Sequence, residues 1–428
     1  MIALDINSNY SDSGGGIRTY HRAKIAWFNR QRGHRYYLVV PGPTHSVRRI
    51  GPRAVRIEVF GLPVGGGYRL LLDYWRVLLI LRRLRPQIVE AGDPFLTGIF
   101  CLAIGRFGWL GHRLAAFYHS DPVETWVAAW AARGWKHGWR RWLAALASTV
   151  FYRLQRGYDV TIVTSRAMED HLRARGVRRL VRKPFGSDPV FFAPTRALPE
   201  GPPSTNAATE GQGSQRVVRL LFVGRLGADK AADLLWQALP RIMGLPGVEL
   251  TIVGRGPLER EFAQAAFPGL RVLGYVSDRQ QVAEIYTRHD VLLAPGPYET
   301  FGLAVLEALA SGLVVVGPDR GGTAELLAEA QSPFVFRAGD ADDFVRAIRA
   351  VLAADLAPHA VAAQSVARRY GTWDDAIGRL VAYYEDFVRG QARLRRRERR
   401  WRIDKATGDE QSRRAEDSLD RTRDWPDR

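Results

Sequence analysis

Residues Val291–Gly312 read V-L-L-A-P-G-P-Y-E-T-F-G-L-A-V-L-E-A-L-A-S-G. Apolar Val291–Ala294 predicts a buried strand, and Pro295-Gly296-Pro297 predicts a loop. The run from Phe301 predicts a helix that stops at Gly312, a residue suited to the left-handed position just past a helix end. Strand, loop and helix in that order make one unit of a parallel α/β sheet, whose ligands bind beyond the strands' carboxyl ends. Glu299 falls in that loop. The amides of Phe301, Gly302 and Leu303 are expected in the first helical turn, unpaired and open to a phosphate. Glu307 lies one turn after Leu303 on the same face, where a carboxylate can accept hydrogen bonds from a ribose diol. Taken alone, the pair of glutamates also describes an ordinary helix with an acidic first turn.

Upstream, strand-like Arg219–Val223 ends in Gly224-Arg225-Leu226, with Lys230 five residues after Arg225. Two cations at a strand's carboxyl edge can grip a diphosphate, Arg with a planar fork and Lys as a point charge. Further strand-like runs, Glu249–Val253, Arg271–Leu273 and Leu313–Val316, complete a second α/β series that closes near Tyr370. The first half repeats the β-then-α order. Its strands are expected at Ile2–Ile6, Tyr36–Val40, Val55–Val59, Ile88–Glu90, Leu114–Tyr118 and Val160–Thr164, and its helices at Ile17–Arg32 and Arg69–Arg85. Gly14-Gly15-Gly16 stands between the first strand and first helix, where backbone can approach an anion closely. No G-x-G-x-x-G accompanies it, which disfavours a nicotinamide dinucleotide. His119, at the end of Leu114–Tyr118, can meet a substrate hydroxyl, although a lone histidine is more often structural.

The chain of 428 residues is long enough for two such domains, and its single cysteine, Cys101, excludes an internal disulfide framework. The expected organisation is a Rossmann-like domain over 1–194, a Pro/Gly/Ser-rich flexible linker over 195–216 and a second Rossmann-like domain over 217–370. C-terminal helices over 371–390 and a basic, disordered tail over 391–428 follow. No Cys/His pair has metal spacing and no G-x-S-x-G elbow points to a hydrolase, so no metal and no cofactor are expected. The net charge of +18 calls for an anionic partner. Without a helix-turn-helix, zinc-finger or RNA-recognition signature, a specific nucleic acid ranks below membrane lipid and phosphorylated ligands. Trp126, Trp130, Trp135, Trp139 and Trp142 stand among arginines and lysines in a stretch, Thr125–Tyr158, that lacks acidic residues. Trp135, Trp139 and Trp142 share a helical face, a pattern that suits a membrane interface and equally a packed helix with a basic outer side. Residues Arg389–Lys405 add nine Arg or Lys against Glu398 and Asp404.

Taken together, Gly224-Arg225-Leu226 with Lys230, then Gly254-Arg255-Gly256, then E-T-F-G-L-A-V-L-E from Glu299 to Glu307, resemble glycosyltransferase family 4 over almost the whole chain. The resemblance implies a GT-B fold: two Rossmann-like doubly wound domains facing a central cleft, with a C-terminal helix crossing back to the N-terminal domain. It also implies transfer of a hexose from a nucleotide-diphosphate sugar with retention of configuration. By similarity, Arg225 and Lys230 would bind the donor diphosphate. Glu299, Thr300 and the Phe301–Leu303 backbone would hold the transferred sugar and phosphate, and Glu307 the ribose. Gly15 and Gly16 would approach the diphosphate from the opposite domain, Arg255 and Val276 would flank the base, and His119 would sit beside the sugar. His119-Ser120-Asp121 and Pro184-Phe185-Gly186-Ser187-Asp188 look most like the GDP-mannose-using branch, with Ser187 a departure from the family's usual G-V-D.

The expected partners are therefore GDP-mannose as donor, a lipid-linked or glycan acceptor, and an anionic membrane surface. The expected location is cytoplasmic, peripheral on the inner face. Rivals are a UDP- or ADP-glucose-dependent glucosyltransferase of the same fold, a non-hydrolysing sugar-nucleotide epimerase, and a catalytically inactive nucleotide-sugar-binding protein.

Overall fold

A computed structural model describes residues 1–11, 15–65, 68–93, 96–106, 112–119, 121, 123, 138–192 and 217–390. The expected linker over 195–216 and the tail over 391–428 lie outside the described residues, as do Trp126, Trp130 and Trp135.

Two sheets organise the chain. The N-terminal sheet contains β1 Ile2–Ile6, β2 Arg35–Gly42, β3 Ser46–Arg49, β4 Ala54–Gly65, β5 Tyr68–Leu71, β6 Ile88–Ala91, β7 Arg113–Phe117, β8 Val160–Val163 and β9 Leu180–Arg182. Its order is β3-β4-β2-β1-β6-β7-β8-β9, with β5 paired to β4. The core pairings are parallel, while β3 and β5 run antiparallel to β4. The C-terminal sheet contains β10 Val218–Val223, β11 Val248–Val253, β12 Leu270–Gly274, β13 Val291–Leu293, β14 Val314–Pro318 and β15 Val335–Phe336, in the order β12-β11-β10-β13-β14-β15. In both sheets the strand order reverses beside the first strand of the half. Each reversal opens a crevice at the carboxyl ends, the place where doubly wound sheets bind ligands.

The C-terminal core is one apolar cluster. Leu220, Phe222, Leu250, Ile252, Val291, Val314 and Val316 pack against Leu235, Leu239 and Ile242 of helix Ala232–Met243 and Phe344, Ile348 and Val351 of helix Ala341–Ala353. The strands are nearly continuous apolar runs because helices cover both faces.

Two sequence expectations change in the N-terminal half. The stretch Arg69–Arg85 is not one helix: Tyr68–Leu71 forms β5, and Asp73 caps a helix only over Tyr74–Leu84, its side chain accepting from the Arg76 amide. The helical period continues through Asp73, but an aspartate that can bond an amide three residues on favours an N-cap over a helix interior. Strand β4 extends well past Val59 because it pairs with β5 in a ribbon beyond the sheet.

The halves are joined twice. Residues 184–192 cross from the first to the second, and residues 371–373 cross back. The crossings pair with each other: the Ser187 amide donates to the Gly371 carbonyl (3.0 Å) and the Trp373 amide to the Ser187 carbonyl (3.0 Å). A side chain at Gly186 would collide with the Thr372 carbonyl, so the close crossing requires glycine there. Trp373 stacks near Phe185 and Tyr20, and Asp374 pairs with Arg30. The last helix, over residues 373–390, thus begins on the N-terminal half. Met1–Arg379 forms one compact unit, and among the described residues Leu380–Gly390 belong to another.

Candidate active site

The crevice between β10 and β13 holds the residues singled out by sequence. A narrow cleft there is lined by Val223, Lys230, Gly296, Glu299, Gly302 and Ala304, among others. Lys230 Nζ and Glu299 Oε1 form an ion pair in it, with both side chains partly open to solvent. Burial pulls the Lys230 ammonium down, but the Glu299 carboxylate outweighs this and holds its pKa above the ordinary value. Arg225, half exposed, pairs with Asp229 at 2.9 Å. The two cations therefore lie at one sheet edge, each restrained by a carboxylate and each with surface left to meet an anion.

Glycines shape this edge. The Gly224 amide donates to the Val253 carbonyl (3.0 Å) and the Leu226 amide to the Arg255 carbonyl (2.9 Å), so the Gly224-Arg225-Leu226 loop lies directly on the Gly254-Arg255-Gly256 loop. Gly254 has φ +147°, and a Cβ there would strike the Gly224 carbonyl. The second glycine motif thus serves loop packing. Arg255 itself points to solvent, 3.5 Å from Glu259, and Val276 is half-buried after β12.

The helix expected from Phe301 begins later, at Leu303, with Gly302 at its N-cap in the left-handed region (φ +90°). Of the three amides expected there, those of Gly302 and Leu303 stand at the helix start and that of Phe301 does not. Phe301 is buried against Phe185 and Tyr370. An aromatic side chain gains more from burial at the joint than from exposure in a helical turn. Thr300 also turns to the other half. Its hydroxyl donates to the His119 carbonyl (2.9 Å), and its own carbonyl accepts from Ser165 Oγ (2.6 Å). Glu325 spans the same joint, its carboxylate accepting from the Arg166 and Ala167 amides at 2.6 and 3.1 Å. The carboxyl edges of the two sheets therefore meet through named hydrogen bonds, with His119 beside the meeting point.

His119 stacks on Phe117 (4.4 Å between centroids) and meets Tyr20 edge-on, and its Nε2 is buried without a hydrogen-bond partner among the described residues. Burial, then the neighbouring His21, lower its pKa to about 3, so the ring is neutral near pH 7. Gly15 caps helix Gly16–Arg30, and added Cβ atoms at Gly15 and Gly16 would meet nothing within 4 Å. Packing among the described residues does not demand these glycines. Two residues after Gly16, in the first turn of the same helix, Arg18 donates to Tyr275 of the second half at 3.0 Å.

Glu307 is not exposed. It is 4% accessible and accepts from Arg279 NH2 at 2.6 Å. Burial raises its pKa, and Arg279 works against that rise. Arg279 carries no sequence signature, because the two residues meet only when helices Arg279–Thr287 and Leu303–Ala310 pack.

Under His119 lies a second set that the sequence motifs do not include. Asp5 and Glu90 face each other across β1 and β6 and share Lys24 Nζ, at 2.6 and 2.9 Å. Tyr36 donates to Asp5 (2.7 Å) and Tyr20 to Glu90 (2.9 Å), while His21 bonds Tyr36 and Asn7. All are buried. A charged residue inside each of two apolar strand runs, I-A-L-D-I and I-V-E-A, is the signal that a buried cation must exist.

Among the described residues no group of three His, Cys, Asp or Glu could hold a metal ion. No single helix there is long and apolar enough to cross a membrane.

Comparison with known proteins matches both halves. The family described as "Glycosyltransferase Family 4" matches residues 14–184, and "Glycosyl transferases group 1" matches residues 217–354. A GDP-mannose-dependent alpha-(1-6)-phosphatidylinositol dimannoside mannosyltransferase of Mycobacterium tuberculosis is 29% identical over 322 residues, covering 74% of this chain and 79% of the relative. A GDP-mannose-dependent alpha-mannosyltransferase of the same species is 29% identical over 86% of this chain and 92% of its own. Among solved structures, sucrose-phosphate synthase from Thermosynechococcus elongatus superposes with a TM-score of 0.67 at 18% identity, covering 91% of this chain and all of that one (100%). Anabaena HepE in complex with UDP superposes with a TM-score of 0.62 at 14% identity, over 90% of this chain and 100% of its own. The fold is GT-B.

Proposed function

The chain belongs to the family 4 glycosyltransferases, and on that premise we propose that it transfers a mannosyl residue from GDP-mannose, with retention of configuration, to a lipid-linked or glycan acceptor. The observation that carries the reading is the restrained pair Lys230–Glu299 beside Arg225 and the Gly302–Leu303 amides, in the crevice between β10 and β13. A nucleoside diphosphate leaves as a multiply charged anion. Arg225, Lys230 and the helix amides lie where that charge would grow, and fixed donors there lower the barrier without reorganising. Glu299 would hold sugar hydroxyls, Glu307 the ribose, and Gly15 and Gly16 would admit the diphosphate from the other half. Neutral His119 would bond a sugar hydroxyl. Arg255 and Val276 would flank the base.

Cations and amides supply the charge stabilisation, so the reaction needs no metal. The sugar C1–O bond to phosphate breaks while a C1–O bond to the acceptor forms on the same face, and the acceptor's proton passes to the leaving phosphate oxygen. The names of the relatives favour guanine and mannose over the uridine and adenosine alternatives.

The N-terminal half supports a membrane-proximal acceptor. Helix Tyr74–Leu84 turns Trp75, Arg76, Leu79, Arg82 and Arg83 to solvent, with Trp75 68% exposed, and Leu72 is open just before it. The β4–β5 ribbon leaves Leu62, Val64 and Leu70 open, and helix Gly138–Gln155 leaves Trp142 65% exposed. Tryptophan and leucine beside arginine fit the headgroup layer of an anionic bilayer, which the net charge of +18 also attracts.

The test is label transfer from GDP-mannose in excess chelator, with anionic vesicles carrying candidate lipid acceptors and with soluble glycans alongside. Acceptor-dependent formation of an α-mannoside, with enzyme sedimenting on the vesicles at low salt, is the expected result. An inverted anomer, a metal requirement, or label release independent of any acceptor contradicts it.

A further inference from the structure

We infer that Arg279 is the positioning residue that gives Glu307 its grip on the donor's ribose, an inference that rests on the reading of Glu307 above. Glu307 is buried in the second turn of the crevice-forming helix Leu303–Ala310, an environment hostile to a lone carboxylate. Arg279 reaches it from the first turn of helix Arg279–Thr287 with NH2 at 2.6 Å. The same guanidinium sits over the Phe191 ring (4.6 Å) and has its Nε 3.7 Å from Asp188. Both Phe191 and Asp188 belong to the segment that crosses between the halves. The fork is thus fixed on three sides, by an acid, a ring and a second acid. A planar guanidinium so held fixes the orientation of the carboxylate it binds, which a flexible ammonium does not.

Arg279 is itself 28% exposed at the side chain, so the pair is not sealed off. One carboxylate oxygen is taken by Arg279, and a ribose diol would present its hydroxyls to the remaining acceptor sites. The groups that act on Glu307 are Arg279 and Tyr286 from the neighbouring helix and Asp188 from the crossing. Asp188 and burial favour protonation, and Arg279 is the cation that opposes them. A protonated Glu307 would lose acceptor capacity for one hydroxyl. Without Arg279 the carboxyl should therefore titrate further upward, and its ribose contacts should depend on pH more steeply than the wild type's do.

The experiment compares the dissociation constants of GDP and 2′,3′-dideoxy-GDP, and of the uridine pair, for wild type, Glu307→Ala, Arg279→Met and Arg279→Lys between pH 6 and 9. Melting temperatures identify any variant that fails to fold. In wild type, loss of the diol should weaken binding about 10- to 100-fold, the range for hydrogen bonds to a charged group. Glu307→Ala should abolish that ratio. Arg279→Met should reduce it to a few-fold near pH 6 and recover it as pH rises, and Arg279→Lys should restore part of it at every pH. If wild type does not distinguish the two ligands, the ribose role of Glu307 is wrong. If Glu307→Ala loses the ratio but Arg279→Met keeps it in full at every pH, Glu307 binds ribose and the inference about Arg279 is wrong. A ratio lost in Arg279→Met but insensitive to pH, with Arg279→Lys equally poor, also overturns the positioning role.

Discussion

The two halves share a strand order and spend it differently. Among the described residues, the C-terminal half buries few charges, chiefly Asp290 and Glu307, and packs one continuous apolar core. Its polar groups are concentrated at the carboxyl edge, on Lys230, Glu299 and Arg225. The N-terminal half buries Asp5, His21, Lys24, Glu90, Asp93 and Asp121 and divides its apolar residues between separate clusters. It also exposes large apolar side chains on the β4–β5 ribbon and helix Tyr74–Leu84. The contrast fits a division of labour. On the proposed function, a half that grips one fixed anion can keep a dry core and a short motif, whereas a half that orients an acceptor would carry its specificity in a shaped polar interior and surface.

The sharpest way to break this contrast is Lys24→Met. It would leave two buried carboxylates without their shared cation, which costs about 3–5 kcal/mol when one partner of a buried pair is removed. Denaturant unfolding should show a loss of that size, whereas a loss under about 1 kcal/mol would mean that Tyr20 and Tyr36 satisfy Asp5 and Glu90 alone.

A smaller effect comes from pH. Burial first, and then Lys24, depress the His21 pKa to about 3, against an ordinary value of 6.5. Below pH 6.5 the unfolded chain takes up a proton that the folded chain refuses, so stability falls with pH until about 3. Each such histidine contributes a slope of about 1.4 kcal/mol per pH unit. Thermal unfolding between pH 7 and 4 should be less steep in His21→Gln by about that amount per unit. An unchanged slope would show that His21 is not held neutral.

Legibility followed the same division. The central strands of both sheets and the edge residues Arg225, Lys230 and Glu299 could be read from short-range pattern, because an apolar run and the loop after it are local features, whereas the short outer strands β3, β9 and β15 carry too few residues to show one. Phe301 was misplaced because its burial depends on Phe185 and Tyr370, which lie far along the chain. Arg279 was invisible for the same reason. The Lys24 network went unread, although charged residues inside two apolar strands signal a buried partner without saying which residue supplies it. The β5 strand was hidden by a helical period that ran straight through Asp73. Interactions between helices, and between halves, leave no periodic trace in sequence.

The donor grip of the C-terminal half is tested most directly by thermal-shift titration of wild type and Lys230→Ala with a panel of GDP-, UDP- and ADP-sugars. A ligand that binds only the folded protein stabilises it by mass action, by about 2.7 kcal/mol at one hundred times its dissociation constant. GDP-mannose should stabilise wild type most, and Lys230→Ala should lose most of that gain along with about 10²- to 10³-fold in turnover, the scale of a lost charge-stabilising donor. Equal stabilisation of both proteins by GDP-mannose, or none of wild type by any nucleotide sugar, would contradict a donor site built on Lys230 and Glu299.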